Sequence, residues 1–371
     1  MSEERGDEAW MDAALAFGRR ALGRCAPNPA VGALLVKDGV LVARGVTGAG
    51  GRPHAETQAL DAAGAAARGA TLYATLEPCA HRGETPPCAE AIVAAGVARV
   101  VTAMQDPDPR VVGKGHAILK ASGIEVVTGV REAIARRDHL GHFLRVTQGR
   151  PMVTLKLAQT RDGFAAGAPH DPRLTVTGPL ADAQTHMERA AHDAIMVGAG
   201  TAREDDPLLT VRLPGMEDQL RLRVVVDSNL TISPRSRFAA LARTVPTLVI
   251  AMTSVSEEDA KRFTDATGAE VARVSADLLG RVPPQAALAE LARRGVTRVF
   301  CEGGPRLAES LLTAGLVDVV MLHTGPKAFG GAGRHALRPA ARAVLEDPAL
   351  YRQTDAFALG ADQITRYEKV G

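Results

Sequence analysis

The stretch PHAETQAL, residues 53–60, follows a glycine-rich loop and opens an alanine-rich segment of helical character. It places His54 and Glu56 at the expected N-terminus of one helix, where unpaired backbone N–H groups and the helix dipole favour negatively charged groups. A second stretch, EPCAHRGETPPC at residues 77–88, contains two cysteines, one after a predicted strand and one at the start of the next predicted helix. These two stretches decide how the N-terminal half of the chain is interpreted.

A catalytic zinc site is the arrangement that these residues predict. One imidazole (His54) and two thiolates (Cys79 and Cys88) neutralise Zn²⁺ and fill three tetrahedral positions, which leaves the fourth for water. His54 and Cys88 each follow a proline, a residue favoured at the first helical position, so we expect helix N–H groups to face the site and to lower thiolate pKa values. Glu56 is then free to move protons between water and a leaving amine, the general acid/base role in zinc deaminases.

Other interpretations of the same residues exist. An H-x-E triplet alone carries little information, and a single cysteine is usually a small buried apolar residue, as we expect for Cys25 and Cys301. A non-catalytic zinc scaffold would need the three ligands but not Glu56. A third possibility is a zinc deaminase for a free base, nucleoside or tRNA, with a second domain that only binds.

Length and charge bound the class of protein. A chain of 371 residues is long enough for two domains, each with its own core. The formal net charge is only +2, and basic and acidic residues are interspersed, so neither nucleic acid nor an anionic membrane is an expected partner. No apolar run reaches the roughly 18 residues needed to span a bilayer, and the acidic start MSEERGDEAW is unlike a secretory signal. We therefore expect a cytoplasmic protein.

The N-terminal half follows a helix–hairpin–βαβ pattern. Apolar residues recur at helical spacing over 7–22, and Asp38-Gly39 joins two strand-like runs as in a hairpin. The remaining predicted elements alternate in type: helices at 54–67, after residue 88, at 114–121 and at 131–140, and strands at 72–76, 99–104 and 124–129. The stretch TQGRP at 147–151 is typical of a linker, so we predict domains at 1–146 and 150–371.

The C-terminal half is again α/β. Strand-like and helical segments alternate from residue 151 onwards, whereas 254–284 shows no clear pattern. The predicted strands begin at 151 and continue at 194–198, 222–228, 246–253, 297–304 and 317–324, and the predicted helices are 179–191, 284–294 and 305–314. In VFCEGGPRLAESLL (299–312) a glycine pair joins a strand to a helix whose N–H groups could receive a phosphate, although such glycines also simply turn the chain.

Four stretches resemble the deaminase half of the bifunctional riboflavin-biosynthesis deaminase/reductase family: PNPAVGALLVKDG, PHAE, LEPCAHRGETPPC and DPDPRVVGKGHAILKASGIEV. The eight-residue gap between the cysteines is characteristic of that half. The resemblance implies that His54, Cys79 and Cys88 hold zinc and that Glu56 is the proton shuttle. It also implies that Asn28 contacts the pyrimidine, although an asparagine between prolines is equally typical of a turn. The family usually has asparagine where this chain has Asp108.

Four further stretches resemble the reductase half of the same family: LKLAQTRDG, VGAGTAREDDPLLTVR, VVVDSN and EGGPRLAESLLTAGLVDVV. The resemblance implies a dihydrofolate-reductase-like fold that uses NADPH. Matching cofactor positions are Ala158, Thr201, Asp205, Ser228, Gly304, Pro305 and Arg306. Matching substrate positions are Lys156, Arg189, Leu209, Arg212 and Glu302. Two arginines could grip a phosphate, and Lys156 could polarise the reacting carbonyl or imine, unless it is a solvated strand lysine.

The resemblance weakens between residues 162 and 177. This segment is shorter than in the family, has Thr175 in place of the usual tryptophan, and has Arg173 at a substrate position that is normally small or polar.

Taken as a whole, the resemblance implies an N-terminal cytidine-deaminase-like αβα domain followed by a C-terminal dihydrofolate-reductase-like α/β domain. The first would use zinc to deaminate 2,5-diamino-6-(5-phosphoribosylamino)pyrimidin-4(3H)-one by hydrolysis. The second would use NADPH to reduce 5-amino-6-(5-phosphoribosylamino)uracil to the ribitylamino compound. Its expected partners are these small molecules and, since the family is commonly oligomeric, further copies of the chain.

Overall fold

A computed structural model describes residues 3–80, 86–168, 171–172, 174–216 and 219–371. The chain divides into two units, Met1–Gly149 and Arg150–Gly371. The prediction of a linker at 147–151 is wrong for its first two residues, 147 and 148, which form the end of a helix. The helix stops where Gly149 adopts φ 65°, a left-handed conformation typical of helix C-termini.

The first unit contains one mixed five-stranded sheet with helices packed on it. The sheet order is β2-β1-β3-β4-β5; β1 pairs antiparallel with β2 and β3, and β3, β4 and β5 are parallel. Its elements in chain order are α1 (Glu3–Gly18), β1 (Gly32–Lys37), β2 (Val40–Val46), α2 (Ala55–Ala63), β3 (Thr71–Ala74), α3 (Cys88–Ala95), β4 (Arg99–Thr102), α4 (Lys114–Ala121), β5 (Glu125–Thr128), α5 (Glu132–Asp138) and α6 (Leu140–Gln148).

The predicted hairpin is present, whereas one predicted helix differs from the structure. Asp38 and Gly39 have φ values of 53° and 75°, the positive values that a two-residue hairpin turn requires, which confirms the predicted hairpin. The single helix predicted at 131–140 is instead two helices that meet at His139. The buried His139 ring lies 3.1 Å from the carbonyl oxygen of Thr75. This long-range contact lies at the break, and Gly141 follows in the first turn of α6.

The second unit contains a nine-stranded, mainly parallel sheet of order β11-β10-β9-β8-β12-β6-β13-β16-β15 and a small β14-β7 sheet. Only the pairs of β16 with β13 and with β15 are antiparallel in the large sheet. Its elements in chain order are β6 (Met152–Gln159), β7 (Phe164–Ala166), α7 (Pro179–Ala190), β8 (Ala194–Gly198), α8 (Ala199–Asp205), β9 (Leu222–Val226), α9 (Arg237–Ala240), β10 (Thr247–Met252), α10 (Glu257–Thr267), β11 (Glu270–Val274), α11 (Pro284–Arg293), β12 (Arg298–Cys301), α12 (Pro305–Thr313), β13 (Val319–Thr324), β14 (Arg334–His335), α13 (Pro339–Glu346), β15 (Tyr351–Leu359) and β16 (Asp362–Lys369).

The segment without a clear sequence pattern, 254–284, contains α10 and β11. The Ser256 side chain accepts a hydrogen bond from the backbone N–H of Asp259, so it caps α10 in the way that serine before an acidic first turn predicts. The β15–β16 hairpin and α13 were also missed. Because β15 is an edge strand with mostly exposed or half-buried side chains, it lacks the apolar run by which the buried strands were found.

The topology of the large sheet determines where its ligands bind. Strands β8, β12 and β6 lie side by side and are parallel, so their carboxyl ends meet at one edge. At this edge α8 follows β8 directly after Gly198, and a short turn that contains Gly303 and Gly304 leads from β12 to α12. Ligands of open parallel sheets bind outside the carboxyl ends of the strands.

Candidate active sites

Three short segments bring the predicted zinc ligands together in the first unit. His54 is the N-cap residue of α2, Cys88 is the first residue of α3, and Cys79 lies in the loop after β3. Their ligand atoms all lie within 4.8 Å of one another. Pro53 and Pro87 stand just outside the helices, not at the first helical position as expected. The Cys88 backbone N–H still donates to Cys79 Sγ, at 3.3 Å.

The geometry of these ligand atoms fits zinc. His54 Nδ1 lies 3.3 Å from Cys88 Sγ and 3.6 Å from Cys79 Sγ. Tetrahedral zinc with bonds of about 2.0 Å to nitrogen and 2.3 Å to sulfur separates such ligands by roughly 3.5 Å. The sequence positions therefore predicted a set of donors that share one coordination sphere.

The protonation states of the two thiols differ. A hydrogen bond from Cys88, assisted by one from His54, lowers the pKa of Cys79 to about 4. The same contact between the sulfurs, together with burial, raises the pKa of Cys88. The two sulfurs therefore differ in how readily they lose a proton, and zinc, which binds thiolates, would favour the deprotonated form of both.

Glu56 lies in the first turn of α2 and is only 4% exposed. Burial, followed by the negative charge of Cys79, raises the pKa of Glu56 to about 7. A carboxyl group with a pKa near the working pH can both accept and release a proton during a reaction. The structure thus brings Glu56 to the ligand cluster with the acid–base behaviour that a proton shuttle needs.

Asn28 lies on the far side of the His54 ring from the cysteines. Its Nδ2 donates to the carbonyl oxygen of Gly51 at 2.8 Å and lies 3.3 Å from His54 Nε2. A Cβ on Gly51 would lie 2.8 Å from the Asn28 side chain, so this close approach requires glycine. The structure thus brings Asn28 to the site. Residues 81–85, between the two cysteines, lie outside the described residues.

Glu77 is a buried carboxylate that sequence reasoning missed. Its oxygens accept backbone N–H groups of Asp106, Gly113 and His116 at 3.0–3.3 Å. It thereby holds the loop before α4 and the start of α4 against the segment that carries Cys79. The sequence signal that could have identified Glu77 is its position two residues before Cys79.

Asp108, where the family usually has asparagine, belongs to the loop that Glu77 holds. Its carboxylate accepts hydrogen bonds from the Arg110 side chain, which lowers the pKa of Asp108 to about 2. Asp108 is therefore negatively charged and already paired with an arginine.

In the second unit, a buried ion pair lies at the carboxyl edge of the large sheet. Arg189 of α7 donates from Nε and Nη2 to the Glu302 carboxylate at 2.6 and 2.9 Å, and from Nη1 to the Thr210 carbonyl oxygen. Burial would raise the pKa of Glu302, but Arg189 and, more weakly, Lys156 lower it. All three guanidinium nitrogens of Arg189 thus donate hydrogen bonds to groups of this chain.

Arg212 is the second predicted arginine and is exposed. Its Nη1 donates to Thr210 Oγ1 at 3.2 Å, and it forms no ion pair with a described residue. Leu209, also predicted, is buried in the same loop and has a φ of 51°. Two histidines that the sequence analysis missed lie nearby: His186, whose Nδ1 accepts the Arg212 backbone N–H, and His323 on β13.

The predicted cofactor residues surround the turns into α8 and α12. The Gly304 backbone N–H donates to Thr201 Oγ1 at 3.0 Å, and Pro305 begins α12, which has no side-chain cap. A Cβ on Gly303 would come within 2.7 Å of the Leu307 side chain, so this turn requires glycine. No side chain caps the N-terminus of α12, and backbone N–H groups at a helix N-terminus are the kind of group that binds the pyrophosphate of a dinucleotide such as NADPH.

The other predicted cofactor positions have different environments. Ala158 is half-buried on β6, Asp205 ends α8, and Arg306 is exposed in the first turn of α12. Ser228 Oγ accepts the backbone N–H of Val282 at 3.0 Å, so it ties the loop after β9 to the loop before α11.

The segment that departs from the family contains its own aromatic cluster. Phe164 stacks on His335 with ring centroids 4.3 Å apart and lies 5.6 Å from Phe329. Thr175, at the family's tryptophan position, is exposed. Arg173 lies outside the described residues.

Comparisons with known proteins match both units of the chain. A model of the RibD C-terminal domain matches residues 151–356, and a model of the cytidine and deoxycytidylate deaminase zinc-binding region matches residues 4–104. Riboflavin biosynthesis protein RibD of Escherichia coli is 35% identical over 88% of this chain and 90% of that protein. The protein of the same name from Aquifex aeolicus is 38% identical over 87% and 88%. The chain belongs to the RibD family.

Solved RibD structures have the same fold along the whole chain. RibD of Acinetobacter baumannii, form 2, superposes with a TM-score of 0.86 at 32% identity and covers 100% of both chains. A deaminase/reductase from Thermotoga maritima superposes with a TM-score of 0.83 at 30% identity and covers 99% of both. The predicted fold class is therefore confirmed.

As a RibD family member, the protein is a bifunctional enzyme of riboflavin biosynthesis with a zinc-dependent deaminase domain and an NADPH-dependent reductase domain. This confirms the predicted function and cofactors, and it excludes the alternative in which the second domain only binds. Its partners are small-molecule substrates. In the described part of the chain, none of the helices combines the length and apolar character that crossing a bilayer requires.

Proposed function

We propose that Glu56 is the proton shuttle of the deaminase site and that His54, Cys79 and Cys88 are its zinc ligands. The observation that supports this proposal is the convergence of three ligand atoms within 4.8 Å beside a buried carboxyl group. When bound there, zinc supplies a water molecule of lowered pKa at the position that the three ligands leave open. The substrate of this site is the diaminopyrimidinone with its phosphoribosylamino group, and the product is the corresponding uracil.

The chain's own groups then carry the protons. Glu56 takes a proton from the attacking water and passes it to the exocyclic amine, which leaves as ammonia. Burial favours this role because it raises the pKa of Glu56 above the usual range of a carboxyl group, which makes the carboxylate a better proton acceptor. Asn28, beside the His54 ring, orients the pyrimidine.

We propose that the reductase site reduces the ribosyl carbon of the deaminated compound, with hydride supplied by NADPH when it is bound. The ammonium group of Lys156 polarises the reacting carbonyl or imine, and Glu302 orients the pyrimidine through its carboxylate. Arg189 holds Glu302 in place, whereas Arg212, which has no carboxylate partner among the described residues, binds the substrate phosphate. Ala158, Leu209 and the α8 and α12 turns line the remainder of the site.

The test of the deaminase assignment is Glu56→Gln. We expect the variant to retain one zinc per chain and to lose ammonia release by a factor of about 10² to 10⁴, the usual contribution of a general acid/base. Glu90→Gln is the matched control, because Glu90 is an exposed carboxylate in the first turn of α3, and it should keep full activity. Turnover that survived in Glu56→Gln would refute the role of Glu56 as the proton shuttle.

Assembly into a homo-oligomer and a cytoplasmic location stay predictions. The first is tested by light scattering of the purified protein, and the second by cell fractionation.

A further inference from the structure

The segment after α8 is held by its backbone to two side chains of α7. His186 and Arg189 lie one turn apart on this helix, on the same helix face. His186 Nδ1 accepts the backbone N–H of Arg212 at 3.1 Å, and Arg189 Nη1 donates to the carbonyl oxygen of Thr210 at 2.9 Å. The two contacts therefore fix consecutive peptide groups, those on either side of Val211.

Residues 206–212, here called the substrate loop, have a backbone conformation that is unfavourable by itself. Leu209 has a φ of 51° although it is only 2% exposed, and Asp206 has a φ of 40°. Residues other than glycine rarely adopt positive φ values, and leucine tolerates them less well than aspartate. Such a conformation persists only where the surrounding structure determines it, and it is often found at functional sites.

Further contacts hold the start of the substrate loop. The Asp206 carboxylate accepts the backbone N–H groups of the first two residues of α9 at 2.8 and 3.0 Å. The fully buried Arg223 of β9 donates to the carbonyl oxygen of Leu208 at 3.3 Å. The start of the loop is thus anchored by α9 and β9, and its end, where Arg212 lies, is anchored by His186.

The protonation state of His186 suits a hydrogen-bond acceptor. Burial, and then the positive charges of Arg189 and Arg212, lower the pKa of His186. Glu302 and a hydrogen bond to the Thr210 backbone act more weakly in the opposite direction. The ring is therefore neutral at physiological pH and has one nitrogen with a lone pair. A protonated ring would carry hydrogen on both nitrogens and could not accept the Arg212 N–H.

We propose that His186 is a positioning residue of the reductase site, which fixes the backbone of Arg212 so that its guanidinium group is preorganised for the phosphate of the substrate. This inference rests on the proposed function, in which Arg212 binds that phosphate. A group that is already held in its binding conformation loses less conformational entropy when the ligand arrives. His186 acts through Arg212 and touches neither substrate nor cofactor.

A double-mutant cycle of His186→Leu with Arg212→Ala tests this proposal. Leucine has no acceptor, so we expect the KM for the phosphoribosyl substrate to rise about 3- to 10-fold in His186→Leu, the effect of one lost hydrogen bond. The kcat and the KM for NADPH should stay within about twofold, because the phosphate contact is the same in the ground state and the transition state. In the Arg212→Ala background, His186→Leu should not change the substrate KM further.

Two other substitutions separate the hydrogen bond from packing. In His186→Asn the amide oxygen is bonded to Cγ, as Nδ1 is in histidine, so this variant should accept the Arg212 N–H and keep a substrate KM near that of the wild type. In His186→Gln the amide lies one bond further from the backbone, so it should restore less. If His186→Leu did not fold, the comparison of His186→Asn with His186→Gln would still decide.

Met187→Ala is the matched control, because Met187 is the next residue of α7 and its side chain is 53% exposed; neither KM should change. Additive effects in the cycle, an unchanged substrate KM in His186→Leu, or an equal rise in His186→Asn and His186→Leu would each overturn the proposal. An unchanged substrate KM in Arg212→Ala would instead refute the phosphate role of Arg212 in the proposed function.

Discussion

The two active sites of this chain balance their charges in different ways. In the deaminase site, the ligand atoms of His54, Cys79 and Cys88 lie within 4.8 Å of one another, as a set of donors that a bound cation would hold together. In the reductase site, Arg189 and Glu302, 113 positions apart in the sequence, already form a bidentate ion pair. The first site therefore depends on a cofactor for its charge balance, whereas the second is held together by the chain itself.

The largest effect expected from this difference is in Cys88→Ala. Loss of one of three ligands should abolish stoichiometric zinc binding and reduce ammonia release by at least about 10³-fold, since the zinc that lowers the pKa of water would no longer be held. NADPH-dependent reduction of the uracil compound should remain intact, because that site needs no metal. The measurements are zinc content by atomic spectrometry and separate assays of the two half-reactions.

Cys25→Ala is the matched control for that variant, because Cys25 is also a buried cysteine of the first unit but lies outside the ligand cluster. It should retain zinc and both activities. Stoichiometric zinc in Cys88→Ala would contradict the three-ligand site, and a parallel loss of reduction would contradict the independence of the two sites.

A smaller effect is expected in Arg212→Ala. Because Arg189 is hydrogen-bonded to Glu302, Arg212 is the predicted arginine that forms no ion pair with a carboxylate among the described residues. Its removal should raise the KM for the phosphoribosyl substrate about 10- to 100-fold, as for loss of a charge-assisted contact, and leave the KM for NADPH within twofold. Steady-state kinetics with each ligand varied in turn provide the measurement.

Arg235→Ala, at another exposed arginine of the second unit, should change neither KM. An equal rise of both KM values in Arg212→Ala would show that the arginine does not distinguish substrate from cofactor. The phosphate assignment would then have to move to another residue.

The same difference explains how much of each site the sequence could predict. His54, Glu56, Cys79 and Cys88 belong to two short motifs, and spacing alone placed all four at one site. The hairpin and the central strands could equally be predicted from the sequence, because turn residues and apolar runs are local signals.

The reductase site depended on a family resemblance, because its groups come from distant segments. No spacing rule joins Arg189 to Glu302, and none reveals that this pair removes Arg189 from the proposed phosphate clamp. The break at His139 likewise depends on a contact with Thr75, 64 positions earlier.

The smallest effect is expected in Glu77→Gln, which tests the part of the deaminase site that zinc does not organise. The Glu77 carboxylate accepts three backbone N–H groups, and an amide can accept with only one of its two polar atoms. We expect a loss of about 1–3 kcal/mol in the free energy of unfolding, the cost of unpaired buried groups.

The deaminase rate of Glu77→Gln should fall by less than about tenfold with zinc retained, because the loop before α4 loosens while the metal ligands stay in place. Urea unfolding and ammonia release measure the two quantities. Glu132→Gln, which breaks only an exposed i,i+4 pair with Arg136, should change stability by no more than about 0.5 kcal/mol. If zinc were lost from Glu77→Gln, the loop before α4 and the ligand cluster would form one cooperative unit. The deaminase site would then be organised by the chain as well as by zinc, and the contrast with the reductase site would fail.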